Sequence, residues 1–135
     1  AGVVAMRRAC LVLDEATAMQ DHVARKGIME LLRTINREEG MTVIHITHDM
    51  EEAALADRVI VMAGGQVALD GTPREVFSRV SRLRELGVHA PHVTELFELL
   101  REEGLELPSG VLGVDEAASA LGRMLTGRGY AFHTP

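Results

Sequence analysis

Cys10-Leu11-Val12-Leu13-Asp14-Glu15 is an apolar run that stops abruptly at two adjacent acids. A short continuous apolar run reads as a strand buried on both faces of a parallel α/β sheet, and such sheets place ligands beyond the carboxyl ends of their strands. A site therefore opens just after Leu13. A second run, Thr42-Val43-Ile44-His45-Ile46-Thr47, ends in His48-Asp49. The amphipathic stretch between the two has the length of a right-handed crossover helix, so two parallel strands would bring Asp14, Glu15 and His48 to one edge.

That crossover helix is expected over Val23 to Glu39, where Ile28, Leu31, Leu32 and Ile35 fall on one stripe and Gly40 is placed to end it left-handed. After His48, Met50 to Ala56 reads as a short helix capped by Asp49, with Glu51 and Glu52 in the first turn where the helix dipole favours negative charge. Arg58 to Met62 and Val67 to Leu69, joined across Gly64-Gly65, read as a β-hairpin. Thr72-Pro73-Arg74-Glu75 has the pattern of a capping box with proline at the first helical position, starting a helix towards Val80. Two more amphipathic helices are expected, from about Pro91 to Glu103 and from Val114 to Leu125, with a linker at Pro108-Ser109-Gly110 and a frayed tail from Gly127 to Pro135.

Composition narrows the function classes. The 135 residues are enough for one ordinary domain, 47% hydrophobic and 25% charged. A net charge of −6, a single lysine and 3% aromatic residues argue against nucleic acid as a partner, because phosphate neutralisation needs clustered cations and base stacking needs aromatic platforms. The one cysteine, Cys10, excludes internal disulfides and reads as a small buried hydrophobe in its strand. No apolar stretch approaches the roughly 20 residues that cross a bilayer, so any membrane role is expected to run through a partner. His45, His22, His89, His92 and His133 show no metal-ligand spacing, and His45 reads as a satisfied core or surface histidine.

Taken in order, these motifs resemble the second half of an ATP-binding cassette (ABC) ATPase. Leu11 to Glu15 is similar to its Walker B strand with the catalytic glutamate, Ala16-Thr17-Ala18-Met19-Gln20-Asp21 to its D-loop, and Ile46-Thr47-His48-Asp49 to its H-loop. Ala56 to Met62, Asp70 to Phe77 and Pro91 to Leu96 extend the resemblance to the ATPases of energy-coupling factor (ECF) importers of vitamins and of cobalt or nickel. The D-loop departs from pattern at Gln20, where leucine is usual, and at His22, where proline is usual.

The resemblance implies site roles. Asp14 would hold Mg²⁺ through a water, since that ion keeps several waters and takes one or two carboxylates plus substrate phosphates. Glu15 would polarise the water attacking the γ-phosphate of ATP, His48 would contact that phosphate and Glu15, and Asp21 would reach across a dimer of ATPase subunits. The fold implied is α/β: a partial P-loop NTPase parallel sheet lacking the P-loop strand, with a β-hairpin and a helical C-terminal extension. Residues 1–72 would be the ATPase core and residues 73–135 a helical extension that helps pair two subunits, alike or different. Transmembrane coupling and substrate-binding components would complete the transporter, placing the chain at the cytoplasmic face of the membrane.

The G-x-x-x-x-G-K-[ST] loop that cradles phosphates is absent: Lys26 is followed by Gly27-Ile28. Gly64-Gly65-Gln66 is no substitute for the ABC signature, because strands flank it, whereas a signature opens a helix facing phosphate. The chain starts with Ala, and Ala1 to Met6 resembles the end of the helix that follows the signature. A fragment is therefore expected, unable to turn over ATP alone, with exposed strand edges and apolar faces where sheet neighbours are missing. The rival readings are the ATPase of another ABC importer class, or a non-catalytic module that pairs with an intact ATPase.

Overall fold

In a computed structural model that describes residues 10–127, the chain forms four strands and six helices in two compact units, divided after Glu52. The expected helix end at Ala1 to Met6 and the frayed tail beyond Gly127 lie outside the described residues.

The first unit is built on β1 (Cys10–Asp14) and β2 (Thr42–Ile46), which pair in parallel with Leu11 opposite Val43 and Leu13 opposite His45. Helix α1 (His22–Glu39) makes the crossover between them, and its capping residue Gly40 sits at φ 64°, a left-handed conformation that glycine adopts without a Cβ penalty. Because strand side chains alternate, Leu11 and Leu13 share one face with Val43, and that face packs against Ile28, Met29, Leu32, Ile35 and Met41.

The opposite face carries Cys10, Val12, Ile44 and Ile46, and these are exposed. Burial on both faces, and a buried Cys10, are therefore corrected. The physical reason is that within this unit the helix α1 packs on one face of the sheet, so alternate residues of an apolar run are left facing outward. The expected uncovered apolar faces are present. Short α2 (Met50–Ala53) runs through the division between the units, begun as expected by Asp49, whose Oδ1 accepts from the backbone N–H groups of Glu51 and Glu52 at 3.0 and 3.3 Å.

The second unit opens with the hairpin β3 (Val59–Ala63) and β4 (Gln66–Gly71), antiparallel, with Gly64 and Gly65 both at positive φ. Two left-handed residues in a two-residue loop match the twist of the flanking strands, which is why glycines stand there. A register shift at Val61/Met62 leaves one extra residue on β4. At the base of the hairpin Arg58 donates to both carboxylate oxygens of Asp70, at 2.7 and 2.6 Å.

Thr72 and Glu75 form the capping box read from sequence, opening α3 (Pro73–Phe77). The single helix expected towards Val80 is instead two, because the chain breaks at Ser78 and Arg79 before α4 (Val80–Glu85). Helices α5 (His92–Glu102) and α6 (Val114–Gly127) follow near the expected positions. They enclose a cluster of Phe97, Leu107, Val111, Ala117 and Ala120, joined by the buried Thr94 hydroxyl, which donates to the Val111 carbonyl. No helix of the described residues is long and apolar enough to cross a membrane.

Candidate active site at the edge of the parallel strands

The carboxyl ends of β1 and β2 form the site. Asp14 is the last residue of β1, opposite Ile46, and its side chain is exposed. The next residue continues the ladder by one step: the Glu15 N–H donates to the Ile46 carbonyl at 2.9 Å. Its own carbonyl then accepts from the Ala18 N–H at 3.1 Å, starting a turn. Serving as the last ladder donor and the first turn acceptor puts Glu15 at φ 46°, the one non-glycine residue at positive φ among those described. A non-glycine residue in that region marks a backbone held by its surroundings.

The Glu15 side chain meets His48. Glu15 Oε1 lies 3.2 Å from His48 Nδ1, with both side chains largely open to solvent. With the carboxylate accepting from Nδ1–H, Nε2 can accept from a water when the ring is neutral and can donate to an anionic oxygen when the ring is the imidazolium, so the pair can hold either at the strand edge and pass a proton. Glu15 and His48 are thus in contact at the strand ends, and Asp14 is the exposed residue that precedes Glu15 in the chain.

Asp21 is placed elsewhere, as the N-cap of α1. It is extended at φ −67°, ψ 165°, and its Oδ1 accepts from the Ala24 N–H at 2.9 Å. Helix α1 begins at His22 despite the missing proline.

Beneath the rim lies a polar cluster that the sequence motifs did not single out. Glu52 is 4% exposed, and its Oε2 accepts from Thr17 Oγ1, Thr47 Oγ1 and His45 Nε2, each at 2.9 Å. Its other oxygen faces Arg25 Nε at 3.6 Å, beyond hydrogen-bond reach, while Arg25 Nη1 donates to Asp49. Burial alone would raise the Glu52 pKa, but the bonds from His45, Thr17 and Thr47 and the His45 charge outweigh it and hold the carboxyl below its usual value. The ionised carboxylate is acceptor-only, so His45 donates through Nε2–H while its Nδ1 is buried without a hydrogen-bond partner. His45 is thus an inner-face histidine bonded at one ring nitrogen only, so the satisfied histidine expected from the sequence is met at Nε2 and not at Nδ1. The sequence places His45 in the inward parity of Val43 and Glu52 four residues beyond His48, on the helix that Asp49 caps, but neither position by itself specifies the cluster.

No family model matches the chain. Similarity to individual proteins is extensive. The chain is 53% identical over 121 residues to the energy-coupling factor transporter ATP-binding protein EcfA1 of Clostridioides difficile, covering 90% of this chain and 44% of that protein. It is 52% identical over 116 residues to the protein of the same name from Caldanaerobacter subterraneus subsp. tengcongensis, covering 86% of this chain and 42% of that one.

The chain matches the C-terminal part of ECF-type ABC ATP-binding subunits. The structure of cbiO1 from Clostridium perfringens, described as part of the ABC transporter complex cbiONQ, superposes with a TM-score of 0.54 at 39% identity, over 72% of this chain and 39% of that one. The parallel strand pair, hairpin and helices are therefore an ABC ATPase arrangement, as the motifs implied. The chain spans less than half the length of the ECF ATP-binding relatives it matches.

Proposed function

We propose that the rim of Asp14, Glu15 and His48 is the hydrolytic edge of an ECF-type ABC ATPase, coupling MgATP hydrolysis to uptake of a micronutrient such as a vitamin, cobalt or nickel. The observation that supports it most is the 3.2 Å contact between Glu15 and His48 at the carboxyl ends of two parallel strands.

The donor set fits magnesium rather than a protein-caged metal. Among the described residues no cluster of three or more His, Cys, Asp or Glu offers a ready-made cage, and a single exposed carboxylate suits an ion that keeps its waters. Asp14 would hold the ion through a water; once bound, the ion would offset negative charge on the phosphate oxygens. Glu15 accepts a proton from the attacking water, a role suited to an exposed carboxylate on a constrained backbone. His48, as the imidazolium, orients Glu15 through Nδ1–H and donates Nε2–H to the terminal phosphate. Asp21, exposed on its cap, is available to a second subunit.

The partners of this reading are a second ATPase subunit, for which residues 73–135 supply a pairing region beside the core of residues 1–72, and membrane components at the cytoplasmic face. The 135 residues contain no phosphate loop, so alone they hold the hydrolytic residues without a cradle, and we propose that they do not turn over ATP by themselves. Micromolar MgATP affinity for the isolated chain would contradict that.

In the transporter assembly carrying this chain, Glu15→Gln is expected to lower ATP turnover by about 10²–10⁴ while MgATP is still bound. Turnover at the unsubstituted rate would refute the reading.

A further inference from the structure

We propose that Glu52 is a positioning residue that sets the distance between Glu15 and His48, by clamping the two segments that carry them onto one buried carboxylate oxygen. The inference rests on the hydrolytic reading of the rim.

The geometry is specific. Thr17 lies two residues after Glu15 in the turn that leaves β1, and Thr47 immediately precedes His48 at the end of β2. Both hydroxyls donate to the same oxygen, Glu52 Oε2, at 2.9 Å, and His45 Nε2 completes the set from within β2. Glu15 and His48 themselves are exposed and joined by one 3.2 Å contact, which by itself holds little, because solvent screens exposed ion pairs. The rigidity of the rim therefore comes from below. Thr17 is 2% exposed and Glu52 4%, so the bonds fixing the turn are shielded from water, whereas the groups they position are not.

Other parts of the cluster reinforce the choice of Glu52. The Thr47 hydroxyl also accepts from the Asp49 N–H at 3.0 Å, so the backbone on both sides of His48 is tied to the same network. Asp49 in turn caps α2, the helix that carries Glu52, and binds Arg25 of α1. Moving the turn away from the end of β2 requires breaking buried, charge-assisted hydrogen bonds. An error of about 1 Å in the placement of reacting groups can cost around 10²-fold in rate.

The test is steady-state ATP hydrolysis by the complete transporter assembly carrying Glu52→Gln, Thr17→Val, Thr17→Ser or Glu15→Gln. An amide at position 52 keeps an accepting oxygen but loses the charge that strengthens its three hydrogen bonds and puts an NH2 donor in place of the second oxygen, which faces Arg25, and valine at 17 removes the hydroxyl at nearly constant shape. Both are expected to lower kcat by about 10²-fold with KM for MgATP unchanged, and Thr17→Ser, which keeps the donor, is expected to restore the rate. A residue needed only for folding would instead reduce the amount of active assembly and leave the surviving kcat intact. In the Glu15→Gln background, Thr17→Val should add no further loss, because the group it positions is gone. If Glu15→Gln abolishes turnover but Thr17→Val and Glu52→Gln retain full kcat, the positioning role is refuted and the hydrolytic reading stands. If Glu15→Gln has no effect, both fall.

Discussion

Replacing Glu15 by glycine and by alanine separates the backbone demand of the site from its chemistry. At φ 46° Glu15 occupies the left-handed region, which costs an L-residue about 1–2 kcal/mol through contact of Cβ with the following carbonyl. Glycine escapes that cost, but it adds roughly 0.4–1 kcal/mol of flexibility to the unfolded chain relative to alanine. Both substitutions lose the same carboxylate contact with His48, so that term cancels between them. The centre of the two ranges leaves Glu15→Gly more stable than Glu15→Ala by about 0.8 kcal/mol, whereas at a site with negative φ the order reverses. Urea denaturation of the two variants, compared at equal m-values, reads the difference directly. A Glu15→Ala chain as stable as Glu15→Gly, or more so, would refute the claim that the ladder bond to Ile46 and the turn bond from Ala18 force this conformation.

Asp21→Ala is expected to cost about 1 kcal/mol by removing the cap on α1, while Asp21→Asn keeps the cap; loss of ATP turnover in Asp21→Asn at unchanged stability would identify a contact made across subunits rather than along the helix. Glu52 contributes an acid limb to stability. Because its folded pKa lies below the unfolded value near 4.5, its contribution is complete above that pH and is lost as pH falls through the folded pKa. Urea unfolding between roughly pH 3 and 6 should show a shallower slope in Glu52→Gln. Phe97→Ala, at a side chain 1% exposed in the cluster between α5 and α6, is expected to destabilise the second unit by about 3–5 kcal/mol, measured by denaturant unfolding.

Much of the site was legible because its signals are local. An apolar run ending in two acids, an amphipathic stripe closed by Gly40 and a second run ending in His48 determine a parallel pair with a common edge, since strand parity and crossover handedness leave few alternatives. The capping box at Thr72, the glycine pair of the hairpin and the Asp49 cap were legible for the same reason: each depends on backbone groups a few residues apart.

The exposure of Cys10 and Val12 and the convergence on Glu52 were not legible, because each depends on residues far apart in the chain. An apolar run does not say which of its faces has a neighbour. Nor does Glu52, an acid in a first helical turn and a common place for a solvated charge, reveal that Thr17, His45 and Thr47 will meet it. By itself the sequence determined which groups reach the rim: the two acids and the imidazole that end the strands. Only the tertiary structure decided what holds them there, because burying one carboxylate under three donors requires segments 35 residues apart to be packed before any of those hydrogen bonds can form.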